Sequence, residues 1–437
     1  MKLHTRLFIA LVAGIALGAA LHSQSDSALI NAINANLLRP IGQIFLRSIF
    51  MIVVPMVFSA LVIGVYDLGR GRDLGGVAGR TLWFTVVMST LSVVIGMLLV
   101  NALRPGESVA LQEAIAAQPS AGVQAIQANA AARKSVADTI IELVPRNPLE
   151  SAVRALDGEM LPLMVFALIF GVAVSRTAPR DDQQNVLMRF LEQVFDACMK
   201  IVHYAMMLAP FAVFAIIFNT AFTFGTAVFA TLFFYVATVV AALLLHQFGV
   251  YALLLRVVAR RSPIEFFRQC RDVYLYAFST ASSNATLPLS LETAEQKLRL
   301  PPDIARFVLT VGATANQNGT ALFEGITVLF LAQVYGLDLT LGQQVRVMLM
   351  SILAGIGTAG VPGGSLPMVM IVAQSVGIPA EGMGLILGVD RFLDMCRTTV
   401  NVSGDLVIAA LVAGPADRLA AVPGPQQGRV RQKETHS

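Results

Sequence analysis

The chain has 437 residues, of which 56% are hydrophobic and only 13% are charged, and its formal net charge is +4. Soluble domains carry about a quarter charged residues, so this composition excludes an ordinary soluble enzyme, intrinsic disorder and a disulfide scaffold. The mild charge argues against nucleic acid as a partner, and three cysteines without metal-type spacing indicate no zinc site. The class that remains is a polytopic membrane protein.

Eight apolar stretches have about the length of 20 residues that a helix needs to cross a bilayer. In chain order they lie at about 5–22, 40–66, 81–103, 158–176, 186–217, 226–256, 303–335 and 380–413. Within the first, the segment from Leu7 to Leu21 follows Lys2 and Arg6 and could be a cleaved signal peptide, but a first membrane helix is the preferred interpretation. We therefore predict an all-α polytopic membrane protein with eight transmembrane helices.

Arginine and lysine collect in alternate connections between these stretches, which predicts that those connections and both termini face the cytoplasm. The connection at about 104–157 then becomes an external loop, although it contains Arg133, Lys134, Arg146 and Arg154. Long loops follow the charge bias poorly, so the prediction stands. The segment 415–437 is polar and rich in proline and glycine, which predicts a disordered cytoplasmic tail.

Two further stretches, at about 263–295 and 345–376, are apolar but interrupted. Small hydroxyl residues interrupt the first at 279–286, and glycine with Pro362 interrupts the second at 357–365. Such backbone is tolerated at membrane depth only inside protein or along a cavity. We predict two re-entrant helical hairpins whose tips meet, an arrangement typical of a transporter binding site. For the second stretch, a Gly-rich extracellular loop is the alternative.

The last span, Leu385 to Val412, carries ionisable residues that a simple membrane anchor would lack. At about 100° per residue, its polar residues fall on one face: Asp390, Asp394, Arg397, Thr398, Asn401 and Asp405. Several costly residues on one face indicate function. Three carboxylates against one guanidinium leave an excess of negative charge, which bound cations or protonation would relieve. An internal salt bridge from Arg397 to Asp390 or Asp394 is the structural alternative.

A second polar cluster interrupts the span at 303–335. Its members are Gly312, Thr314, Asn316, Gln317, Asn318, Gly319 and Thr320. Glycine among amide side chains favours local unwinding, which exposes carbonyl oxygens that would suit a hard cation such as Na⁺, together with Asn401 and Asp405. A kink stabilised by interhelical amide hydrogen bonds is the alternative interpretation.

Four motifs in this order resemble those of the dicarboxylate/amino acid:cation symporter family, the family of glutamate and aspartate transporters. They are Ser282-Ser283-Asn284-Ala285-Thr286-Leu287-Pro288, Asn316-Gln317-Asn318-Gly319-Thr320, Gly357-Thr358-Ala359-Gly360-Val361-Pro362-Gly363 and the segment from Asp394 to Asp405. The resemblance covers the chain to about Gly414. It implies a homotrimer of inverted-repeat elevator transporters with eight transmembrane helices and two hairpins.

The resemblance also implies how the chain divides. Residues 1–414 would form one integrated membrane transporter. The scaffold would comprise about 1–80 and 158–256, and the transport domain about 81–103 and 257–414. The external loop at 104–157 would join them, and the membrane would be the cell (inner) membrane.

Residue roles follow from the same resemblance. Arg397 would bind the side-chain carboxylate of the substrate, a task that suits a guanidinium, and Asp394 with Thr398 would receive the α-amino group. The remaining substrate-binding residues would be Ser282, Ser283, Thr320, Val361, Gly363 and Asn401. The cation sites would use Gly312, Thr314, Asn316, Gly355, Ile356, Thr358, Asn401 and Asp405, with the second hairpin as a gate.

The chain also departs from the family pattern. Asn318 is an amide where sodium-driven members carry a carboxylate, and at Thr85 and Met88 the pattern of the third helix is missing, with only Ser89 retained. We therefore predict fewer sodium ions than in those members, or partial replacement by protons. Ala281 and Met395 occupy the positions where many members have a second arginine, so Arg397 is expected to be the only arginine in the pocket.

These observations predict a secondary active symporter for L-glutamate or L-aspartate that is coupled to Na⁺, H⁺ or both, without a cofactor. Arg397 favours an acidic side chain, and Asp394 favours an amine because a dicarboxylate without one would leave Asp394 unpaired. A C4-dicarboxylate symporter of the same fold and an ion channel are the alternatives. A membrane enzyme is disfavoured because no histidine lies in the hairpin or last-helix motifs.

Overall fold

The computed structural model describes residues 3–24, 27–70, 76–107, 144–155, 160–177, 185–224, 227–357, 365–379 and 382–415. Throughout these residues the regular structure is helical, which confirms the predicted all-α class. Most of the predicted loop at 104–157 and the tail after 415 lie outside the described residues.

The described residues of the first half of the chain form eight α-helices. They are α1 (Leu3–Leu21), α2 (Ala28–Ile33), α3 (Arg39–Phe50), α4 (Val53–Arg70), α5 (Val77–Leu103), α6 (Pro148–Val153), α7 (Met160–Thr177) and α8 (Val186–Phe224). The stretch predicted as one span at 40–66 is divided between α3 and α4. Pro55 explains the division, because it has no N–H to donate to the carbonyl of Met51.

The described residues of the second half form ten α-helices. They are α9 (Ala227–Leu245), α10 (Ala252–Val257), α11 (Pro263–Gln269), α12 (Arg271–Thr280), α13 (Ser283–Glu292), α14 (Pro302–Ala315), α15 (Asn318–Val334), α16 (Leu341–Gly357), α17 (Leu366–Ser375) and α18 (Met383–Ala413). A π-helical segment, His246–Tyr251, joins α9 to α10. The span predicted at 303–335 is broken between α14 and α15, as its polar cluster indicated.

Both predicted hairpins have helical arms. In the first hairpin, α12 packs against α13 and the tip is Ala281 with φ of 49°, a left-handed conformation that is rare for a residue other than glycine. Lys297 donates to Asp272 at 2.9 Å near the open end of this hairpin, and the ammonium lowers the pKa of the Asp272 carboxyl. In the second hairpin, α16 packs against α17, and the tip at 358–364 lies outside the described residues.

By length and hydropathy, three helical stretches in the described part of the chain are able to cross a bilayer: 77–103, 229–257 and 385–413. The α8 helix bends by 52° between Ala205 and Met207, and its two parts together would make a fourth stretch able to cross a bilayer. Five shorter apolar helical stretches also occur among the described residues: 12–21, 54–66, 162–177, 341–356 and 366–375. The chain is therefore a multi-pass helical protein, and in its described residues length and hydropathy support three or four of the eight predicted spans.

Two groups of packed helices position the site. On one side, α1 lies along α8, and α4 packs on α7 and α8. At Gly18 an added Cβ would lie only 2.6 Å from the carbonyl oxygen of Phe218, so the absence of a side chain lets α1 approach α8. On the other side, α18 is surrounded by α9, α12, α14 and α15, and α15 is buried along almost its whole length. The polar residues of α18 therefore face protein and not lipid.

Candidate functional site

The polar face of α18 is buried throughout. Its six predicted residues are 1–6% exposed: Asp390, Asp394, Arg397, Thr398, Asn401 and Asp405. The helical periodicity therefore predicted correctly that they share one environment. Because α18 packs on α12, α14 and α15, its polar face meets the first hairpin and the broken span.

Arg397 holds the two carboxylates nearest to it along the helix. Its Nη1 donates to Asp390 Oδ1 at 2.9 Å, and its Nη2 lies 3.0 Å from Asp394 Oδ1. The guanidinium also stacks 4.2 Å from the ring centre of Phe323 on α15. Cation–π contact and ion pairing together fix the plane of the guanidinium. The internal salt bridge that was the structural alternative is therefore present, in a side chain that is 1% exposed.

A second arginine reaches the same cluster. Nη1 of Arg391 donates to Asp394 Oδ2 at 3.3 Å, and its side chain is 20% exposed. The expectation that Arg397 is the only arginine at the site is therefore wrong. The side chain of Arg391 is long enough to fold back over one turn of α18, although its Cα lies outside the polar arc. Two guanidiniums and the carboxylates of Asp390 and Asp394 balance in charge.

Asn401 connects α18 to the start of α15. Its Oδ1 accepts from the backbone N–H groups of Gly319 at 2.7 Å and Thr320 at 3.2 Å, and its Nδ2 donates to Thr320 Oγ1 at 3.0 Å. The first N–H groups of a helix lack partners within the helix, so this amide caps α15 from outside. Gly319 is required here, because an added Cβ would lie 2.6 Å from the carbonyl oxygen of Arg397.

The end of α14 meets Asp405, which lies further along α18. Asn316 donates through Nδ2 to Asp405 Oδ1 at 2.7 Å. An added Cβ at Gly312 would lie 2.5 Å from the same oxygen, so the carboxylate packs directly on the backbone of α14. The Oδ1 of Asn316 is buried and has no hydrogen-bond partner among the described residues. Gly312, Asn316 and Asp405 thus converge as predicted, with Asn401 about one turn away on α18.

Asn318 lies in a separate, fully hydrogen-bonded network. Its Oδ1 accepts from Ser89 Oγ at 2.7 Å, its backbone carbonyl accepts from Ser92 Oγ at 3.0 Å, and its Nδ2 lies 3.2 Å from the hydroxyl of Tyr251. The sulfur of Met88 lies 4.0 Å from the same nitrogen. Neutral donors and acceptors are paired here, so the network needs no cation for charge balance.

The hairpins supply the remaining predicted residues. Ser282 caps α13 by accepting from the N–H of Ala285 at 3.2 Å, and the buried Oγ of Ser283 has no partner in the described residues. In the second hairpin, Gly355 accepts from the N–H of Gln317 at 3.1 Å, which connects α16 to the broken span. Ile356 is buried beside it. For Thr314 only the backbone is described, within α14, and Thr358, Val361 and Gly363 lie outside the described residues.

Sequence reasoning missed Glu324. This residue lies on α15, one turn beyond Thr320, is completely buried, and has two carboxylate oxygens without a hydrogen-bond partner in the part of the chain that the structure describes. Arg397 is close enough to interact with it electrostatically. A single glutamate inside an apolar span is enough to indicate a functional residue, because a charged side chain there has a high free-energy cost.

The regular structure of the described residues is helical and largely apolar. Its interrupted helices surround a buried cluster of charged and amide side chains. This combination defines the class of polytopic membrane transporters. Comparison with known proteins gives the family. The model of the sodium:dicarboxylate symporter family matches residues 3–414, and the chain belongs to that family.

Several curated relatives are similar over nearly the whole chain. The proton/sodium-glutamate symport protein of Bacillus subtilis is 34% identical, over 94% of this chain and 92% of its own length. The proton/glutamate-aspartate symporter of Escherichia coli is 34% identical, over 93% and 91%. Excitatory amino acid transporter 3 of the mouse, Mus musculus, is 30% identical, over 91% and 82%.

Proposed function

We propose that this protein is a cation-coupled symporter that moves L-glutamate or L-aspartate across the membrane. The observation that carries the proposal is the buried Arg397, which is held between Asp390 and Asp394 at the centre of the site. A guanidinium and a carboxylate side by side match the side-chain carboxylate and the ammonium group of an acidic amino acid. The names of the relatives, which are glutamate and aspartate symporters, support the same substrate class.

Binding would replace contacts that the site makes internally. The substrate's side-chain carboxylate would take the Arg397 nitrogen that lies near Asp394, and Asp394 with Thr398 would then face the α-amino group. The backbone carboxylate would meet Asn401 and Thr320. The hairpin tips would close the pocket with Ser282, Ser283, Val361 and Gly363. The unpartnered hydroxyl of Ser283 supports this role, since a buried polar group without a partner is costly.

A coupling cation would bind where α14 meets α18. The carboxylate of Asp405 and the unpartnered Oδ1 of Asn316 supply oxygen ligands, which Na⁺ prefers. Gly312 and Asn401 would contribute to the same site, and Thr314, Gly355, Ile356 and Thr358 to a second one at the gate. The neutral network around Asn318 supports fewer sodium ions than three.

Protons are the second candidate driving ion, and Glu324 favours them. A fully buried carboxyl group with no hydrogen-bond partner in the described structure is costly when it is charged and accessible to a proton when the site opens. Its position one turn from Thr320 would connect proton uptake to the substrate site. Sodium and protons occur together in the name of the Bacillus subtilis relative.

We further propose the architecture of an elevator: eight transmembrane helices, two re-entrant hairpins, inverted repeats and a homotrimer. The division expected from the sequence placed 1–80 and 158–256 in the scaffold, and 81–103 and 257–414 in the transport domain. We move the helix at 227–257 to the transport domain, because α9 packs mainly on α18 and α5. Both termini would lie in the cytoplasm and the protein in the cell (inner) membrane. Native mass spectrometry of the purified protein would test the trimer.

Uptake into proteoliposomes tests the proposed function. Radiolabelled L-aspartate and L-glutamate should accumulate when an inward sodium or proton gradient is imposed, and accumulation should saturate. The two rival functions give different outcomes. Inhibition by succinate and malate but by neither amino acid would indicate a C4-dicarboxylate symporter, and current that does not saturate with substrate would indicate a channel.

A further inference from the structure

Arg391 is the charged residue of the cluster to which no function has been given. Its Nη1 donates to Asp394 Oδ2 at 3.3 Å, and the buried Nε has no hydrogen-bond partner among the residues that the structure describes. The side chain is one-fifth exposed, whereas that of Arg397 is 1% exposed. Arg391 is therefore held by one long hydrogen bond and is the more exposed of the two arginines.

The contacts of Asp394 are divided between the two arginines. Arg397 lies 3.0 Å from its Oδ1, and Arg391 lies 3.3 Å from its Oδ2. Asp394 is thus compensated in charge before any substrate arrives. This removes the argument that a dicarboxylate without an amine would leave the Asp394 carboxylate unpaired.

We propose that Arg391 is a positioning residue that acts through Asp394 and makes the ammonium group of the substrate dispensable. With Arg391 on Asp394, the site accepts a C4-dicarboxylate such as succinate as well as an acidic amino acid. When an amino acid binds, its ammonium group takes Asp394 Oδ2 and the guanidinium of Arg391 moves toward solvent. The inference rests on the proposed function, because it concerns the selectivity of the same site.

The physical reason is the cost of a buried like-charge pair. Without Arg391, an amine-free dicarboxylate would lie beside a carboxylate that shares a single arginine with Asp390, and the repulsion would be unscreened by water. An amino acid avoids this cost because it brings its own ammonium group. Loss of Arg391 should therefore weaken succinate binding much more than aspartate binding.

The test uses full-length protein in proteoliposomes, with L-aspartate uptake inhibited by unlabelled succinate or unlabelled L-aspartate. Both should inhibit the unchanged protein. In Arg391→Gln, the ratio of the succinate to the aspartate inhibition constant should rise at least about tenfold, or about 1.4 kcal/mol. Arg391→Lys keeps the charge and should hold the ratio within about threefold of the unchanged protein, or less than about 0.7 kcal/mol. Arg306→Gln, at an exposed ion pair with Glu295, is the matched control and should leave the ratio unchanged.

A double variant shows whether Arg391 acts through Asp394. Succinate binding by isothermal titration should be the same in Asp394→Asn as in Asp394→Asn with Arg391→Gln, and this comparison remains available if Arg391→Gln alone is unstable. Three results would overturn the proposal: no inhibition of the unchanged protein by succinate, an equal shift of both constants in Arg391→Gln, or an effect of Arg391→Gln that persists without Asp394. Failure of the proposed function is distinguishable, because the unchanged protein would then take up neither amino acid.

Discussion

The guanidinium of Arg397 makes two contacts that a single ammonium group is unable to reproduce together, since it lies between Asp390 and Asp394 and stacks on Phe323. Arg397→Lys should therefore reduce the affinity for L-aspartate at least about tenfold, or about 1.4 kcal/mol. Equilibrium binding of the purified protein measures this. Arg306→Lys, at an exposed ion pair with Glu295, serves as the control. An unchanged dissociation constant in Arg397→Lys would contradict the role of Arg397.

Glu324 is a proton carrier in the proposed function, so its removal should affect the driving force and not the substrate. Glu324→Gln keeps the shape of the side chain but does not exchange a proton. Uptake by the unchanged protein should be faster when the outside is more acidic than the inside, and Glu324→Gln should lose this acceleration. Glu295→Gln, at the surface beside Arg306, should retain it. Full acceleration in Glu324→Gln would show that protons use another route.

At the scale of single residues, the sequence predicted a site residue correctly where its position on a helix alone decides which face it occupies. The residues of α18 share a face because 100° per residue places them there, and burial confirms it. Arg391 was missed because the angular position of a residue around the helix axis does not show how far its long side chain reaches along the helix. Glu324 belongs to neither polar cluster of the sequence, and only its charge inside an apolar segment distinguishes it.

Among the elements, α14 and α18 approach each other closely at a proposed cation ligand. A methyl group at Gly312 would lie 2.5 Å from Asp405 Oδ1, so the Asp405 side chain or one of the two helices would have to shift. Gly312→Ala should lower the temperature of unfolding, at a cost of about 1–3 kcal/mol, and should weaken the stimulation of uptake by Na⁺. Thermal unfolding and uptake at varied sodium concentration measure the two effects.

The matched control for that substitution is Gly342→Ala on α16, where an added Cβ has no neighbour within 4 Å among the described residues. It should leave unfolding and sodium stimulation unchanged. If Gly312→Ala behaves like Gly342→Ala, then Asp405 does not depend on the close approach of α14.

Element boundaries were predicted where polar or small residues interrupt an apolar segment. The break between α14 and α15 and the tip of the first hairpin at Ala281 are of this kind. The division between α3 and α4 was not predicted, because its residues are apolar and Pro55 alone marks it. The bend of α8 at 205–207 was not predicted either, although Pro210, which has no N–H to donate to the carbonyl of Met206, marks it in the sequence.

For the molecule as a whole, the number of coupling ions is the property that the site constrains most. The neutral network of Asn318, Ser89 and Tyr251 pairs its polar groups without a cation. We expect fewer than three sodium ions for each substrate molecule. Reversal potentials in proteoliposomes, measured at several sodium gradients, give this number directly, and vesicles without protein are the control. A value of three would contradict the interpretation of the Asn318 network.

The concentration of charge on α18 has a consequence for how the protein is made. Each Asp or Arg at the centre of a helix adds about 2.5–3.5 kcal/mol to the free energy of insertion into the bilayer, and α18 contains Asp390, Arg391, Asp394, Arg397 and Asp405. It is also synthesised after the other described helices. On its own α18 would enter lipid poorly, so α9, α14 and α15 must already be in place to receive it. Biogenesis thus depends on the same buried contacts that form the site.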